Sequence, residues 1–111
     1  MKIFISGVAG FLGSYLAEKF NNEGHIVVGI DNLIGGYLEN VPDGIDFIPV
    51  DCCDLKKVSK LMDGCDVVYH CAATAYEGLS VFSPKLITEN IVLASASMIT
   101  AAIQNKVKRF V

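Results

Sequence analysis

The sequence predicts a doubly wound parallel α/β sheet, and three observations support that prediction. Apolar segments of strand length alternate with helical segments along the 111 residues. The segments IFI, IVVGI and VVYHC are apolar on both faces, as parallel strands covered by helices on each side must be. The first strand also runs into a glycine-rich turn and then into a helix. With right-handed crossovers, this order of elements predicts the strand order 3-2-1-4-5.

The predicted elements follow one another with short connections. Four complete strands and the start of a fifth are predicted, at Lys2–Ser6, Ile26–Asp31, Ile45–Val50, Asp66–Cys71 and from Arg109 onward. Helices are predicted over residues 11–23, 55–62 and 84–105. Gly24 and Gly64 end the first two helices, because glycine readily adopts the positive φ of a C′ residue. Ser83 and Pro84 predict the start of the third helix, as N-cap and first helical residue, after a loop.

The turn after the first strand has the chemistry of a phosphate-binding site. Gly7, Gly10 and Gly13 are spaced at three-residue intervals between this strand and the following helix. A helix N-terminus presents unpaired N–H groups and the positive end of the helix dipole to an anion. Gly10 leaves room for a pyrophosphate to approach, and Gly13 allows the helix to pack closely. Asp31, about twenty residues later at the end of the second strand, is placed to bind ribose hydroxyls.

Composition excludes several classes of function. The chain is 52% hydrophobic and only 19% charged, with a net charge of −3, so a nucleic-acid-binding surface is not expected. Met1 and Lys2 lead directly into a strand, and no separate signal segment is apparent. The apolar stretch Ile91–Ile103 is too short to cross a bilayer. We therefore expect a cytoplasmic protein without a membrane segment, whose excess apolar surface another segment covers.

The cysteines do not have the spacing of a metal site. Cys52, Cys53, Cys65 and Cys71 form neither a CxxC pair nor a zinc-finger pattern. His70 is adjacent to Cys71, but neighbours in a strand face opposite sides of the sheet. We expect no bound metal and reduced, partly buried thiols.

Five segments, in order, are similar to one protein family. GVAGFLGSYLAEKF, GIDNLIGGYLENV, VDCCDL, VYHCAAT and NKVKRFV resemble motifs of the extended short-chain dehydrogenase/reductase family. The resemblance is to its NAD-dependent branch of nucleotide-sugar epimerases and dehydratases, and it covers the whole chain. It implies a Rossmann fold, NAD as cofactor and a nucleotide-sugar substrate for the full-length protein.

The resemblance also implies a role for individual residues. The pyrophosphate would be held, chiefly by backbone groups, at Gly7, Gly10, Phe11 and Leu12. The adenosine would contact Asp31 through its ribose, the loop residues Asn32 and Gly36, and the adenine-binding pair Asp51 and Cys52. The middle of the cofactor would lie over Cys71, Ala72 and Ala73, and its nicotinamide half near Asn90.

Several of these residues have an alternative interpretation. Asp51 precedes a predicted helix and is a candidate N-cap for it. Asn90 is a candidate for tying its helix to a nearby loop. Cys52 and Cys71 are interpreted as passive lining and His70 as a packed strand residue, not a base.

NAD is predicted over NADP on electrostatic grounds. The carboxylate of Asp31 would repel a 2′-phosphate. The following residues Asn32, Leu33 and Ile34 supply no cation to receive that phosphate.

No catalytic group is predicted within the chain. In the family that it resembles, a Ser or Thr and a Tyr-x-x-x-Lys pair lie beyond the strand that begins at Arg109. Tyr15 and Lys19 have that spacing, but both lie on the first helix, so we interpret the match as coincidence. We therefore expect residues 1–111 to be the N-terminal part of a dinucleotide-binding domain and to be inactive alone. The alternatives are a non-catalytic dinucleotide sensor and a carbonyl reductase acting on a non-sugar substrate.

The apolar pattern of the third predicted helix indicates that the helix packs against a partner. Its apolar residues are spread over more than one face, so it needs a partner besides the sheet, either a C-terminal part of the same protein or the same helix of a second subunit. The resemblance implies a homodimer through residues 84–105, with Met98 as a candidate outward residue.

Overall fold

The computed structural model describes residues Met1–Val111 and contains a single five-stranded parallel sheet. Its strands are β1 (Lys2–Ser6), β2 (Ile26–Asp31), β3 (Asp46–Pro49), β4 (Val67–His70) and β5 (Arg109–Phe110). Their order is β3-β2-β1-β4-β5, which confirms the predicted doubly wound topology. Ser6, the last residue of β1, pairs with Ile30 on one side and with His70 on the other. The carboxyl ends of these three strands therefore form one edge of the sheet.

Three shorter helices and one long helix cover the sheet. The shorter ones are α1 (Phe11–Asn22), α2 (Leu55–Leu61) and α3 (Leu79–Phe82). The long helix, Pro84–Gln104, consists of an α-helical turn, a π-helical segment and a further α-helical part: Pro84–Ile87, Thr88–Leu93 and Ala94–Gln104. A 3₁₀ turn occupies Leu38–Asn40. The sequence predicted only a loop where α3 forms.

The core has one hydrophobic cluster on each face of the sheet. The larger cluster contains Phe4 and Val68 from the sheet, packed against Met62 after α2 and Met98 of the long helix. The smaller cluster joins Ile3, Ile5 and Val27 to Val8 and to Ala17 of α1. Burial of each large side chain stabilises the fold by about 1.5–3 kcal/mol. α2 and the long helix thus cover one face, and α1 covers the other.

The predicted helix ends are correct for the two glycines and for Ser83, which is the N-cap of the long helix. Gly24 and Gly64 have φ values of 81° and 70°, the left-handed conformation expected after a helix. Ser83 makes no side-chain capping hydrogen bond. Instead its backbone serves two helices, because its N–H donates to Leu79 and its carbonyl accepts from Ile87. Pro84 does occupy the first turn of the long helix, as predicted.

The long helix corrects two further predictions. Met98 faces inward, with 0% of its surface exposed, so it is not an outward residue. The most exposed large apolar residues of this helix are Val92 and Ile103, at 63% and 72%. The helix has 21 residues, which is long and apolar enough to cross a membrane by length and composition alone. The sequence-based argument that the apolar stretch is too short to cross a membrane therefore does not hold. Core helices of globular proteins also meet this criterion of length and composition.

Candidate functional site

A cleft of about 280 Å³ lies at the carboxyl edge of the sheet. It is formed by the β1–α1 turn, the loops after β2, β3 and β4, and one side of the long helix. Every residue that the sequence assigned to the cofactor lines it, with the exception of Leu12: Gly7, Gly10, Phe11, Asp31, Asn32, Gly36, Asp51, Cys52, Cys71, Ala72, Ala73 and Asn90. Leu12 is not among the lining residues, and 58% of its surface is exposed.

The glycines of the β1–α1 turn are required by close backbone contacts. Gly7 has a φ of 73°, and a Cβ there would lie 2.7 Å from the backbone nitrogen of Ala72. A Cβ on Gly13 would lie 2.1 Å from the carbonyl oxygen of Gly7. The sequence predicted that Gly13 is needed for close packing of α1 on the sheet. In the structure, the close contact that requires glycine at this position is with the β1–α1 turn. These contacts fix the start of α1 beside the end of β4.

The N-terminus of α1 has free hydrogen-bond donors. The N–H groups of Phe11, Leu12 and Gly13 donate to no protein acceptor, and the N-cap Gly10 has no side chain to bind them. Unpaired donors at the positive end of a helix dipole bind phosphate groups. The turn therefore supplies the anion site that the sequence predicted, and it does so through backbone atoms.

Asp31 is held at the end of β2 by two backbone donors. Its Oδ2 accepts from the N–H of Ala9 at 3.0 Å, and its Oδ1 accepts from the N–H of Leu33 at 2.8 Å. Only 9% of the residue is exposed. Because an ionised carboxylate has about four acceptor positions, both oxygens retain capacity for the hydroxyl groups of a ligand.

Asp51 connects the ends of β2 and β3. Its Oδ2 accepts from Asn32 Nδ2 at 2.8 Å, and its Oδ1 accepts from the N–H of Cys53 at 2.7 Å. Partial burial acts to raise the pKa of Asp51, but these two hydrogen bonds outweigh it and hold the pKa below its usual value. The N-cap of α2 is Asp54, which accepts from the N–H of Lys57, so Asp51 does not cap that helix. It is left as an ionised acceptor that lines the cleft.

Asn90 lies in the π-helical segment and links it to the loop after β4. Its Nδ2 donates to Thr74 Oγ1 at 2.9 Å, which is the tie between helix and loop that the sequence left open. Asn90 also lines the cleft, so the tie does not exclude contact with a ligand.

The thiols near the cleft are poorly reactive. Burial raises the pKa of Cys52 to about 12 and also raises the pKa of Cys71. A thiol with a raised pKa carries little of the reactive thiolate form near neutral pH. Passive lining is therefore the chemistry that the structure supports for both residues.

Sequence reasoning missed part of the cleft wall, namely Ile34, Gly35, Thr74, Ala75, Tyr76 and Ala94. Residues 74–76 directly follow the turn after β4, and the rule that ligands bind at the carboxyl ends of strands would have found them. No lysine, arginine or histidine lines the cleft, and its charged side chains are the carboxylates of Asp31 and Asp51. Tyr15 and Lys19 lie outside it, and Lys19 pairs with Glu23 on α1.

Nearly the whole chain matches a family model. The model describes the NAD dependent epimerase/dehydratase family and matches residues 3–111. The chain belongs to this family. NAD is the family's cofactor, and membership confirms the resemblance inferred from the sequence motifs.

Relatives of known name are similar over most of the chain. The probable UDP-arabinose 4-epimerase 3 of Arabidopsis thaliana is 31% identical over 120 residues, covering 98% of this chain and 29% of that protein. A UDP-N-acetyl-alpha-D-glucosaminuronate decarboxylase of Bacillus cytotoxicus is 39% identical over 75 residues, covering 65% of this chain and 23% of that protein. This chain therefore spans less than a third of the length of these relatives.

Solved structures of epimerases share the fold closely. The UDP-glucose 4-epimerase of Thermotoga maritima, solved with UDP-glucose, has a TM-score of 0.95 and 28% identity, with 99% of this chain and 36% of that chain covered. The UDP-glucose 4-epimerase of Thermus thermophilus, solved with NAD, has a TM-score of 0.93 and 34% identity over the same shares. This chain therefore has the fold of about a third of each of these epimerase chains.

Proposed function

We propose that this chain is the NAD-binding part of a nucleotide-sugar epimerase. Bound NAD would supply the redox chemistry, by taking a hydride from a sugar carbon and returning it. The observation that carries the proposal is the cleft itself. It combines unpaired backbone donors at the start of α1 with the buried acceptor Asp31 at the end of the neighbouring strand.

The residues of the cleft fit a dinucleotide in one order. The backbone of Gly10, Phe11 and Leu12 would hold the pyrophosphate, since a Cβ at Gly10 would stand between the turn and the ligand. Asp31 would accept hydrogen bonds from the adenosine ribose, and Asn32 and Gly36 would line the loop beside it. These roles are proposals that rest on the position of each residue in the cleft.

The rest of the dinucleotide would lie across the ends of β3 and β4. Asp51 would accept from the exocyclic amine of adenine, next to Cys52. Cys71, Ala72 and Ala73 would lie under the middle of the cofactor, and Asn90 would approach the nicotinamide half. All of these residues line the same continuous cleft.

Charge supports NAD over NADP. The carboxylate of Asp31 stands where a 2′-phosphate would be placed, and no cationic side chain lines the cleft to offset the repulsion. Parallel calorimetric titrations of the protein that carries this chain with NAD and NADP test the proposal. We expect tighter binding of NAD, and tighter binding of NADP would contradict the role given to Asp31.

The proposed reaction also needs groups beyond this chain. A general base is required to take the proton of the sugar hydroxyl during hydride removal. We assign that role to none of the residues that line the cleft. We propose that a Tyr-x-x-x-Lys pair and a Ser or Thr beyond Val111 supply this chemistry. Residues 1–111 alone are then expected to show no turnover of nucleotide sugars.

Three other functions make different predictions for the protein that carries this chain. A nucleotide-sugar dehydratase would release a product lighter by one water, whereas an epimerase product keeps the mass of the substrate. A carbonyl reductase would prefer NADP, and a sensor would bind NAD without turnover. Mass spectrometry of products formed from UDP-glucose and related UDP-sugars detects the loss of water, and chromatographic separation of the sugar epimers detects a product of unchanged mass. The epimer is the expected product, and a sensor would give neither signal.

The proposal includes a location and an assembly. We propose a cytoplasmic homodimer without a membrane segment, since the four cysteines are free and the long helix already packs one face on the sheet. Its outer face carries Val92, Ala96, Ile99 and Ile103 at the spacing of a helix-pairing stripe, and all four are exposed.

A further inference from the structure

The strand residue His70 connects two serines that lie behind the cleft. Its Nδ1 is 2.7 Å from Ser6 Oγ, at the end of β1, and Ser6 is fully buried. Its Nε2 is 3.0 Å from Ser95 Oγ, on the long helix. The imidazole therefore bridges the sheet and the helix that covers it.

The partners of the two serines fix the direction of each hydrogen bond. Ser95 donates its only hydroxyl proton to the carbonyl of Ile91 at 2.6 Å, so it accepts from an N–H at His70 Nε2. Burial lowers the pKa of His70, which favours the neutral ring. A neutral ring with its proton on Nε2 has an acceptor at Nδ1, and the Ser6 hydroxyl donates to it.

Both ends of this chain of hydrogen bonds reach the walls of the cleft. Ser6 directly precedes Gly7, and its oxygen accepts from the N–H of Ala72 at 3.4 Å. Ser95 directly follows Ala94, and it holds a carbonyl of the π-helical segment that contains Asn90. Gly7, Ala72, Ala94 and Asn90 all line the cleft.

His70 has no chemical role of its own in the cleft. It is not one of the lining residues, and the groups packed around its ring are the hydroxyls of Ser6 and Ser95 and the ring of Phe110, none of them charged. Burial is the only cause that lowers its pKa. Its directed hydrogen bonds are therefore its contribution.

We propose that His70 is a positioning residue of the cofactor cleft. By holding Ser6 with one nitrogen and Ser95 with the other, it sets the spacing between the β1–α1 turn and the wall formed by the long helix. This inference rests on the proposed NAD-binding function, and it adds a residue behind the cleft to those that line it.

Variants of the protein that carries this chain separate positioning from packing. His70→Leu keeps an apolar side chain at this position but removes both hydrogen bonds. We expect NAD affinity to fall roughly 3- to 10-fold for each of the two lost bonds. His70→Asn places an acceptor near the position of Nδ1, so it should restore the part of the affinity that depends on Ser6. Ser95→Ala should lose only the part of the NAD affinity that depends on the hydrogen bond between His70 and the long helix. His25→Asn, far from the cleft, is the control and should bind as the wild type does.

The imidazole tautomer gives a second readout that packing alone does not set. In ¹⁵N-labelled wild type at neutral pH, we expect the nitrogen shifts of His70 to show a protonated Nε2 and an unprotonated Nδ1. The opposite tautomer would overturn the inference, as would wild-type NAD affinity in His70→Leu or equal losses in the Leu and Asn variants. Wild type that fails to bind NAD would instead refute the proposed function.

Discussion

At the scale of single residues, the cleft depends on polar side chains that are held by the backbone. Asp31 and Asp51 each accept from a backbone N–H before any ligand is considered. Such preorganised acceptors bind ligand hydroxyl or amine groups without a further loss of side-chain entropy. Because of these bonds, replacing either carboxylate should change both the stability of the fold and the affinity for the ligand.

Replacing Asp31 should weaken NAD binding. In Asp31→Ala a charge-assisted hydrogen bond to ribose would be lost, which costs roughly 1.5–3 kcal/mol of binding free energy. In Asp31→Asn the negative charge is absent while the size is kept, so the discrimination between NAD and NADP should narrow. Isothermal titration with both nucleotides measures these effects.

The matched control for this prediction is Asp43→Ala. Asp43 is exposed, its side chain makes no hydrogen bond, and it lies outside the cleft. Asp43→Ala should therefore bind NAD as the wild type does. Unchanged NAD affinity in Asp31→Ala would show that the ribose is bound elsewhere.

The buried imidazole of His70 should make stability depend on pH. Its pKa in the folded state lies below the usual value of 6.5, because burial disfavours the charged ring. The unfolded chain then binds more protons near that pH, so the free energy of unfolding falls as pH decreases through 6.5 toward the lower folded pKa. Above 6.5 this contribution is fully present.

Urea unfolding of wild type and His70→Asn at several pH values tests this dependence. Between neutral pH and about pH 5.5, wild type should lose stability relative to the variant, since His25 is common to both and cancels. If the free energy of unfolding depended on pH in the same way in wild type and His70→Asn, the prediction would be wrong, because the ring would then titrate equally in the folded and unfolded states.

At the scale of secondary-structure elements, the contact between β1 and α1 matters most. Gly10 and Gly13 lie in the same motif, yet the structure gives them different tasks. A Cβ on Gly10 would meet only the Gly7 carbonyl, at 3.2 Å, whereas a Cβ on Gly13 would lie 2.1 Å from the same oxygen. The first position therefore tolerates a Cβ more readily than the second, and it lines the cleft proposed for the cofactor.

Alanine at these two positions should therefore have different effects. Gly13→Ala should destabilise the fold by about 1–3 kcal/mol, because α1 must shift away from the turn. Gly10→Ala should keep most of its stability but lose NAD affinity, because its methyl group would obstruct the approach of the pyrophosphate. Thermal unfolding and NAD titration of both variants, with Glu18→Ala on the exposed side of α1 as control, measure the difference. Equal stability in all three variants would contradict the close contact.

At the scale of the whole molecule, the outer face of the long helix is the surface through which we propose that the protein dimerises. Val92, Ile99 and Ile103 are 63%, 46% and 72% exposed, and Met98 on the opposite face is fully buried. Exposed apolar residues at this spacing mark a helix-pairing surface. Two copies of this face would cover each other across a two-fold axis.

A charge on the outer face should separate the proposed dimer. Ile103→Glu would bury an unpaired carboxylate in the interface, which costs several kcal/mol, so it should give a folded monomer. Met98→Glu should instead unfold the chain, because its carboxylate would enter the core. Val81→Glu, at a 78% exposed position on α3, is the control and should stay dimeric. Sedimentation velocity and circular dichroism separate these outcomes, and a monomeric wild type at micromolar concentration would exclude the dimer.

The sequence by itself determined the strand order, the glycine turn and most of the residues that line the cleft. The strand order and the turn depend on local patterns, since alternating apolar segments dictate a parallel sheet and glycines mark positions where a Cβ does not fit. The helix ends at Gly24 and Gly64 were predictable for the same reason. Most of the lining residues were predicted through the resemblance of the sequence motifs to those of the family.

Tertiary structure alone decided which face of the long helix is buried, and therefore that Met98 lies in the core and Ile103 outside. A helix that is apolar on several sides does not reveal in its sequence which side meets the sheet. The same holds for His70, whose partners Ser6 and Ser95 are distant in sequence. Such contacts between separate elements form only when the sheet brings those elements together.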